Sequence, residues 1–288
     1  MPRLPATLLR KASRISPNLR LLLPEVRSLS LAKAELRWLS EHAQSAWDLT
    51  SLCLRRGRLH EPLQYLLGSQ PFSSLDIAVT PGVLIPRPET EQYTVHLAAL
   101  LRANLRGSRI LDLCTGTGCI ALTLAAEAAA EEVVGVDVSP VAVGLARKNM
   151  VRNSVPGKVR FVEADIREFN PEEGRFDVVV SNPPYVAEAE WWRSVGGSVR
   201  KWEPKLAVVA DEEGDEFYGR IQEIAVKAQA KVLLAEVGGM EQAERVRRIW
   251  GEGWEGTDIW KDYAGRGRAV VAWRKGAEWM KECPEIWG

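Results

Sequence analysis

From Gly107 onward the chain alternates short apolar strands with helices, and this alternation restricts the fold more than any other feature. The periodicity predicts strands over 109–113, 132–138, 159–164, 176–180 and 232–237. Helices are expected over 119–130, 141–151, 215–230 and 241–250. Strands apolar along their whole length, separated by helices, give a mainly parallel sheet covered on both faces. Two final strands, 257–261 and 268–273, meet at a turn at Ala264-Gly265 with no helix between them, so an antiparallel edge is expected. The fold class is α/β with seven strands. In such sheets ligands bind at the strand carboxyl ends, where the strand order reverses.

The residues before the sheet read differently. Over about 28–68, Leu29, Leu31, Ala34, Leu36, Leu39, Trp47 and Leu52 recur at three- and four-residue steps, the pattern of a small helical domain. His42 and His60 there read as surface or capping residues. Residues 71–79 alternate like a strand, Pro81-Gly82 turns, and Val83-Leu84-Ile85 reads as the hairpin partner. Pro86-Arg87-Pro88 then stops the chain stiffly and opens a helix to about Arg102. Residues 1–24 carry Arg3, Arg10, Lys11, Arg14 and Arg20 before the first acid, Glu25. A basic, acid-free start with serines reads as a mitochondrial presequence rather than a secretory signal, although its prolines interrupt a long helix. The division expected is 1–24 presequence, 25–70 helical domain, 71–88 hairpin linker and 89–288 sheet domain, with Trp279 and Trp287 in a surface tail. Localisation is mitochondrial (matrix), otherwise cytoplasmic.

The totals narrow the partners. A formal net charge of zero provides no global field to attract nucleic acid or anionic lipid. No apolar run approaches a membrane span, so no membrane association is expected. Cys53, Cys114, Cys119 and Cys283 have neither paired nor metal-like spacing and read as reduced thiols, with no metal implied.

Three strand ends carry the chemistry. Leu111-Asp112-Leu113 runs into Cys114-Thr115-Gly116-Thr117-Gly118, a turn whose glycines let a ligand approach the backbone. It has neither the dinucleotide spacing nor a phosphate-loop lysine. Asp137, ending the next strand about 20 residues on, suits the two hydroxyls of a ribose. Asp165-Ile166, after the third strand, offers a carboxylate and an apolar face to an adenine. A glycine turn without a phosphate cradle, a ribose acid and an adenine position point to S-adenosyl-L-methionine.

The fourth strand ends in Ser181-Asn182-Pro183-Pro184-Tyr185. Two prolines cannot donate to a sheet ladder, so the strand stops and the loop is stiff. The Asn182 side-chain oxygen and the Pro183 carbonyl would accept the two hydrogens of a planar NH2, with Tyr185 packed on the planar group. Such contacts strengthen as positive charge builds on nitrogen during methyl transfer.

These blocks, with Pro81–Glu91, Val136–Pro140, Val199–Pro204 and Ala264–Arg268, resemble the HemK/PrmC protein-(glutamine-N5) methyltransferases from about residue 29 to 273. The resemblance implies a Rossmann-like, seven-stranded class I S-adenosyl-L-methionine-dependent methyltransferase domain. It implies that Arg87 to Glu91 form part of the cofactor-site wall, with Arg87 and Glu89 among the substrate-binding residues. It implies a protein substrate, the glutamine of the Gly-Gly-Gln loop of a class I peptide chain release factor, docked with help from the helical domain. The alternative enzyme is an exocyclic-amine (adenine N6-type) methyltransferase of DNA or RNA, and a third reading is a non-catalytic factor-binding module. A neutral chain with a helical extension disfavours stable nucleic-acid binding, and intact Asn182 and Asp137 disfavour the non-catalytic module. Two departures stand out. Cys114 replaces the usual first glycine, tolerable on ordinary grounds only at negative φ, and 210–214 together with Trp191-Trp192 depart from the pattern on the substrate side.

Overall fold

The computed structural model describes residues 4–155, 157–251 and 253–281. Cys283 and Trp287 lie outside the described residues. The chain divides into two compact units, 1–70 with 196–203 and 71–195 with 204–288.

The first unit is helical: α1 (Ala6–Ile15), α2 (Pro17–Val26), α3 (Leu29–His42), α4 (Ala46–Leu59) and α5 (Leu63–Leu67). The short helix Gly197–Trp202, α9 in chain order, belongs to it. Serines start three of these helices by accepting an otherwise orphaned N–H: Ser16 from Asn18 (3.2 Å), Ser28 from Leu31 (3.4 Å) and Ser45 from Asp48 (3.1 Å). Helices α2 and α4 touch so closely that a Cβ at Gly57 would lie 1.7 Å from the Leu21 carbonyl oxygen. Around that contact Leu19, Leu22, Leu23, Leu39, Leu52 and Cys53 form the core. The boundary expected at residue 24 falls within α2, where Leu19, Leu22 and Leu23 are buried. His60 ends α4 in the left-handed conformation and its Nδ1 lies 2.5 Å from Glu25 Oε2.

The second unit begins within the hairpin formed by β1 (Ser69–Phe72) and β2 (Leu75–Ala78). The expected hairpin was longer and turned later. The chain instead reverses at Ser73-Ser74, with Ser73 at φ 52°, because Leu75 and Ile77 bury while Asp76 faces out. Residues 83–85 are not a strand: Val83, Ile85 and Pro86 bury in irregular backbone. Helix α6 (Pro88–Asn104) follows, with Pro88 in its first turn.

The sheet then builds as β3 (Arg109–Leu113), α7 (Cys119–Glu127), β4 (Glu132–Asp137), α8 (Pro140–Arg152), β5 (Val159–Glu163) and β6 (Val178–Ser181). After α10 (Glu216–Lys227) come β7 (Val232–Glu236), α11 (Met240–Trp250), β8 (Gly256–Lys261) and β9 (Gly267–Trp273). Strand order is β5-β4-β3-β6-β7-β9-β8. The first five are parallel, while β9 runs antiparallel to β7 and β8. Both faces are buried: Ile110 and Val133 pack on one side, Leu111, Leu113 and Val134 on the other. The order reverses between β3 and β6, where Leu113 pairs with Ser181 and the Ser181 hydroxyl donates to the Leu113 carbonyl at 2.9 Å. That seam brings the glycine turn beside the Asn-Pro-Pro-Tyr loop.

Candidate active site

A cleft of about 1030 Å³, partly open to solvent, lies at this seam. Of the residues expected from sequence, Cys114, Thr115, Gly116, Thr117, Asp137, Asp165, Ile166, Asn182, Pro184 and Arg87 line it. Gly118, Pro183, Tyr185 and Glu89 are not among the lining residues but are chain neighbours of ones that are, Thr117, Asn182, Pro184 and Thr90. Gly118 instead starts α7 at φ 81° against Ala146 and Phe161, and the charge of Glu89 acts on Arg268.

The β3–β4 side is built from backbone. Asp137 Oδ2 accepts from the Gly116 N–H at 2.8 Å and Oδ1 from the Ser139 N–H at 2.9 Å. Burial pushes this carboxyl up, and the two N–H bonds oppose the rise. Asp112, fully buried, accepts through Oδ2 from the Thr115 hydroxyl (2.6 Å) and the Ala121 N–H (3.2 Å), so it ties both ends of the turn together. Its burial pushes the carboxyl up to about 7, and Oδ1 has no hydrogen-bond partner among the described residues. The Asn149 side chain donates to the Thr117 carbonyl (2.9 Å) and pairs with both backbone groups of Ala78, fastening the hairpin to the turn.

Cys114 differs from expectation. It sits at φ 59°, in the left-handed region where a Cβ crowds the following carbonyl at a cost of roughly 1–2 kcal/mol. Negative φ is not what makes cysteine tolerable here; the turn holds it in place, between β3 and the Thr115 N–H bond to the Val136 carbonyl (3.0 Å). Burial, then the charge of Asp137, pushes its thiol up, so it is a neutral wall group.

The β6–β7 side is built from side chains distant in sequence. Asn182 Nδ2 donates to Thr90 Oγ1 at 3.3 Å, and Thr90 Oγ1 donates to Glu236 Oε2 at 2.6 Å. The Tyr185 hydroxyl donates to Glu236 Oε1 at 3.2 Å. Glu236 is 1% exposed; burial pushes its carboxyl up, while the hydroxyls of Thr90, Tyr93 and Tyr185 and the charge of Arg268 pull it down. Gln242 Nε2 donates to the carbonyls of Tyr185 (3.1 Å) and Gly214 (2.8 Å), and its oxygen accepts from the Gly238 N–H (2.7 Å). Tyr185 is thus held at its hydroxyl and at its carbonyl, as a brace for the loop. The expected stacking face does not line the cleft.

Asp165 lines the cleft, but its carboxylate is engaged by the Arg167 side chain (2.6 Å) and main-chain N–H (2.9 Å), which hold it below the usual carboxylate range. Wall residues that the sequence did not single out include Val83, Ile85, Ser139 and Phe217. An apolar wall from Val83, Ile85, Ile166 and Phe217, an acid fixed by turn N–H groups, and open space at Gly116 (nothing lies within 4 Å of a Cβ built there) fit an adenosine carrying a short amino-acid arm.

The chain matches the family described as Methyltransferase small domain over residues 79–201. It is 37% identical to the mitochondrial MRF1 N(5)-glutamine methyltransferase MTQ1 of Saccharomyces cerevisiae, covering 95% of this chain and 88% of that protein. It is 39% identical to the release factor glutamine methyltransferase of Chlorobaculum tepidum over 70% of this chain and 71% of the relative. Among solved structures, the hMettl16 catalytic domain in complex with an RNA hairpin superposes with a TM-score of 0.57 at 16% identity, covering 85% of this chain and 91% of that one. At that identity the likeness is one of fold.

Proposed function

The chain belongs to the release factor glutamine methyltransferases, and from that premise we propose how its own residues carry the reaction. It is an S-adenosyl-L-methionine-dependent enzyme that methylates the side-chain amide nitrogen (N5) of a release factor glutamine. Bound S-adenosyl-L-methionine supplies an electrophilic methyl group on a sulfonium. Asp137 would hold the ribose hydroxyls, Cys114–Gly118 the amino-acid arm, and Asp165-Ile166 the adenine. A carboxamide nitrogen is a poor nucleophile because its lone pair is delocalised. Asn182 Oδ1 and the Pro183 carbonyl would accept its two N–H bonds, orient the lone pair along the transfer line, and strengthen their grip as nitrogen becomes positive. The proton can leave after transfer, so no strong base is required. Arg87 lines the cleft and, with Glu89, would meet the backbone of the incoming loop.

The finer substrate is the glutamine of the Gly-Gly-Gln loop in a class I factor. The observation that carries this reading is the Asn182 amide, lining the cleft with its nitrogen already engaged by Thr90, so that its oxygen is the end left to accept. The exposed Trp47, Trp38 and Leu31 of the helical unit support its role in docking the factor. Labelled S-adenosyl-L-methionine incubated with the factor, its Gln→Ala loop variant, or nucleic acid tests the reading. Label in the wild-type factor alone is the expected result; equal label in the Gln→Ala factor, or label in nucleic acid alone, would sink it. Relatives named as mitochondrial, with the basic face of α1, support a mitochondrial matrix enzyme. Replacing Arg10, Lys11 and Arg14 by Gln should then strand a fluorescent fusion in the cytosol, and unchanged import would refute that role for the segment.

A further inference from the structure

An asparagine side chain has an accepting end and a donating end of nearly the same shape, so its usefulness depends on which end faces the substrate. With its oxygen toward the cleft, Asn182 welcomes an amide NH2; with its nitrogen there, donor would face donor. What decides the orientation lies behind it. The Thr90 hydroxyl has a single proton, and Thr90 Oγ1 is 2.6 Å from Glu236 Oε2. A carboxylate only accepts, so that proton points to Glu236 and leaves the Thr90 lone pairs to receive Asn182 Nδ2 at 3.3 Å. The second oxygen of the same carboxylate takes the Tyr185 hydroxyl at 3.2 Å. Thr90 is 2% and Glu236 1% exposed, so no bulk water competes for these bonds.

We infer that Glu236 is a positioning residue: through Thr90 it sets the donor–acceptor polarity of Asn182, and with it the selection of an acceptor that arrives as an NH2 donor. This rests on the reading of Asn182 as the group that accepts the glutamine N–H. Glutamine at 236 keeps the shape but can offer its own NH2 to Thr90. The Thr90 proton is then released toward Asn182, whose oxygen turns to meet it, and its nitrogen swings into the cleft.

The test compares Glu236→Gln, Thr90→Val, Thr90→Ser and Asn182→Ala in single-turnover methylation of the release factor, with cofactor affinity measured by calorimetry on the same samples. Expected for Glu236→Gln and Thr90→Val is a fall in kcat of about 10–100-fold, the scale of one mis-set charge-linked hydrogen bond, with cofactor affinity held within a few-fold. Thr90→Ser, which keeps the hydroxyl, should recover most of the rate. Wild-type kcat in both Glu236→Gln and Thr90→Val, with Asn182→Ala inactive, would overturn the relay and leave the Asn182 reading standing. Equal losses in Thr90→Ser and Thr90→Val would overturn it as well. So would a loss of cofactor affinity that tracks kcat, which would make Glu236 a structural residue of the unit. Full activity in Asn182→Ala would instead remove the reading beneath it.

Discussion

On the β3–β4 side of the cleft, the ligand-facing groups come from one turn and one strand end, held by backbone N–H groups of the same β3–β4 segment, 2 and 21 residues away in the case of Asp137. On the β6–β7 side, Asn182 and Tyr185 are held by Thr90, Glu236 and Gln242, which lie far off in sequence and are brought together only when the sheet closes. The first arrangement is local and survives small changes elsewhere. The second depends on buried polar groups with few substitutes, where a lost partner leaves another group unsatisfied at a cost of about 1–3 kcal/mol. The cofactor side is therefore suited to binding, and the acceptor side to the orientation that chemistry requires.

The strongest way to break this division is to remove one group from each side. Asn182→Ala should lower kcat about 10²-fold or more while leaving cofactor affinity near wild type. Asp137→Ala should weaken cofactor binding by about 10–100-fold, the loss of charge-assisted hydrogen bonds, with kcat near normal at saturating cofactor. Single-turnover rates and calorimetry separate the two quantities. If both variants lose the same quantity, the sides are not functionally distinct.

A glycine from each side sharpens the comparison through stability. At Gly214, φ is 80° and an added Cβ would lie 2.4 Å from the Tyr185 carbonyl oxygen and 3.0 Å from Gln242 Nε2. Gly214→Ala should cost about 2–4 kcal/mol, combining left-handed strain with overpacking. At Gly116, φ is 56° but nothing lies within 4 Å of the added Cβ, so Gly116→Ala should cost only about 1–2 kcal/mol of strain. Urea unfolding of the two variants gives the difference. Equal midpoints would mean that the Tyr185 loop yields as easily as the turn.

The same contrast governs what could be read before folding. The seven strands, their parallel and antiparallel senses, and the turn over 114–118 follow from local patterns: unbroken apolar runs, glycines, and a helix start. Asp137 sits one strand beyond its turn, within reach of such rules. Thr90 and Glu236 lie 146 residues apart and share no local pattern. The available signal was an acid closing the apolar run Val232-Leu233-Leu234-Ala235, an unfavourable residue to bury without a partner. Tyr185 shows the same limit: an aromatic beside a planar-amine site reads as a stacking face, and nothing local reveals that Glu236, 51 residues on, accepts its hydroxyl. The hairpin was overextended because Val83-Leu84-Ile85 is apolar for burial against the cleft and α8, where Val83 packs on Ala142 and Leu145, rather than for pairing.

Cys114 is the smallest effect and the one that asks whether the local side carries strain of its own. Three positions of this turn, 114, 116 and 118, take positive φ, and only the first has a Cβ. Cys114→Gly removes the clash with the following carbonyl, worth roughly 1–2 kcal/mol, and gives part of it back as added backbone freedom in the unfolded chain, about 0.4–1 kcal/mol. A net gain of about 1 kcal/mol should appear as a higher denaturation midpoint at unchanged slope. Cys114→Ala is the control, because alanine keeps the Cβ and should show no such gain. A gain in Ala equal to that in Gly would place the cost in the buried thiol. No gain in either would mean that the bonds of Asp112 and Thr115 offset the left-handed geometry, so the turn stores no strain for the cofactor side to release.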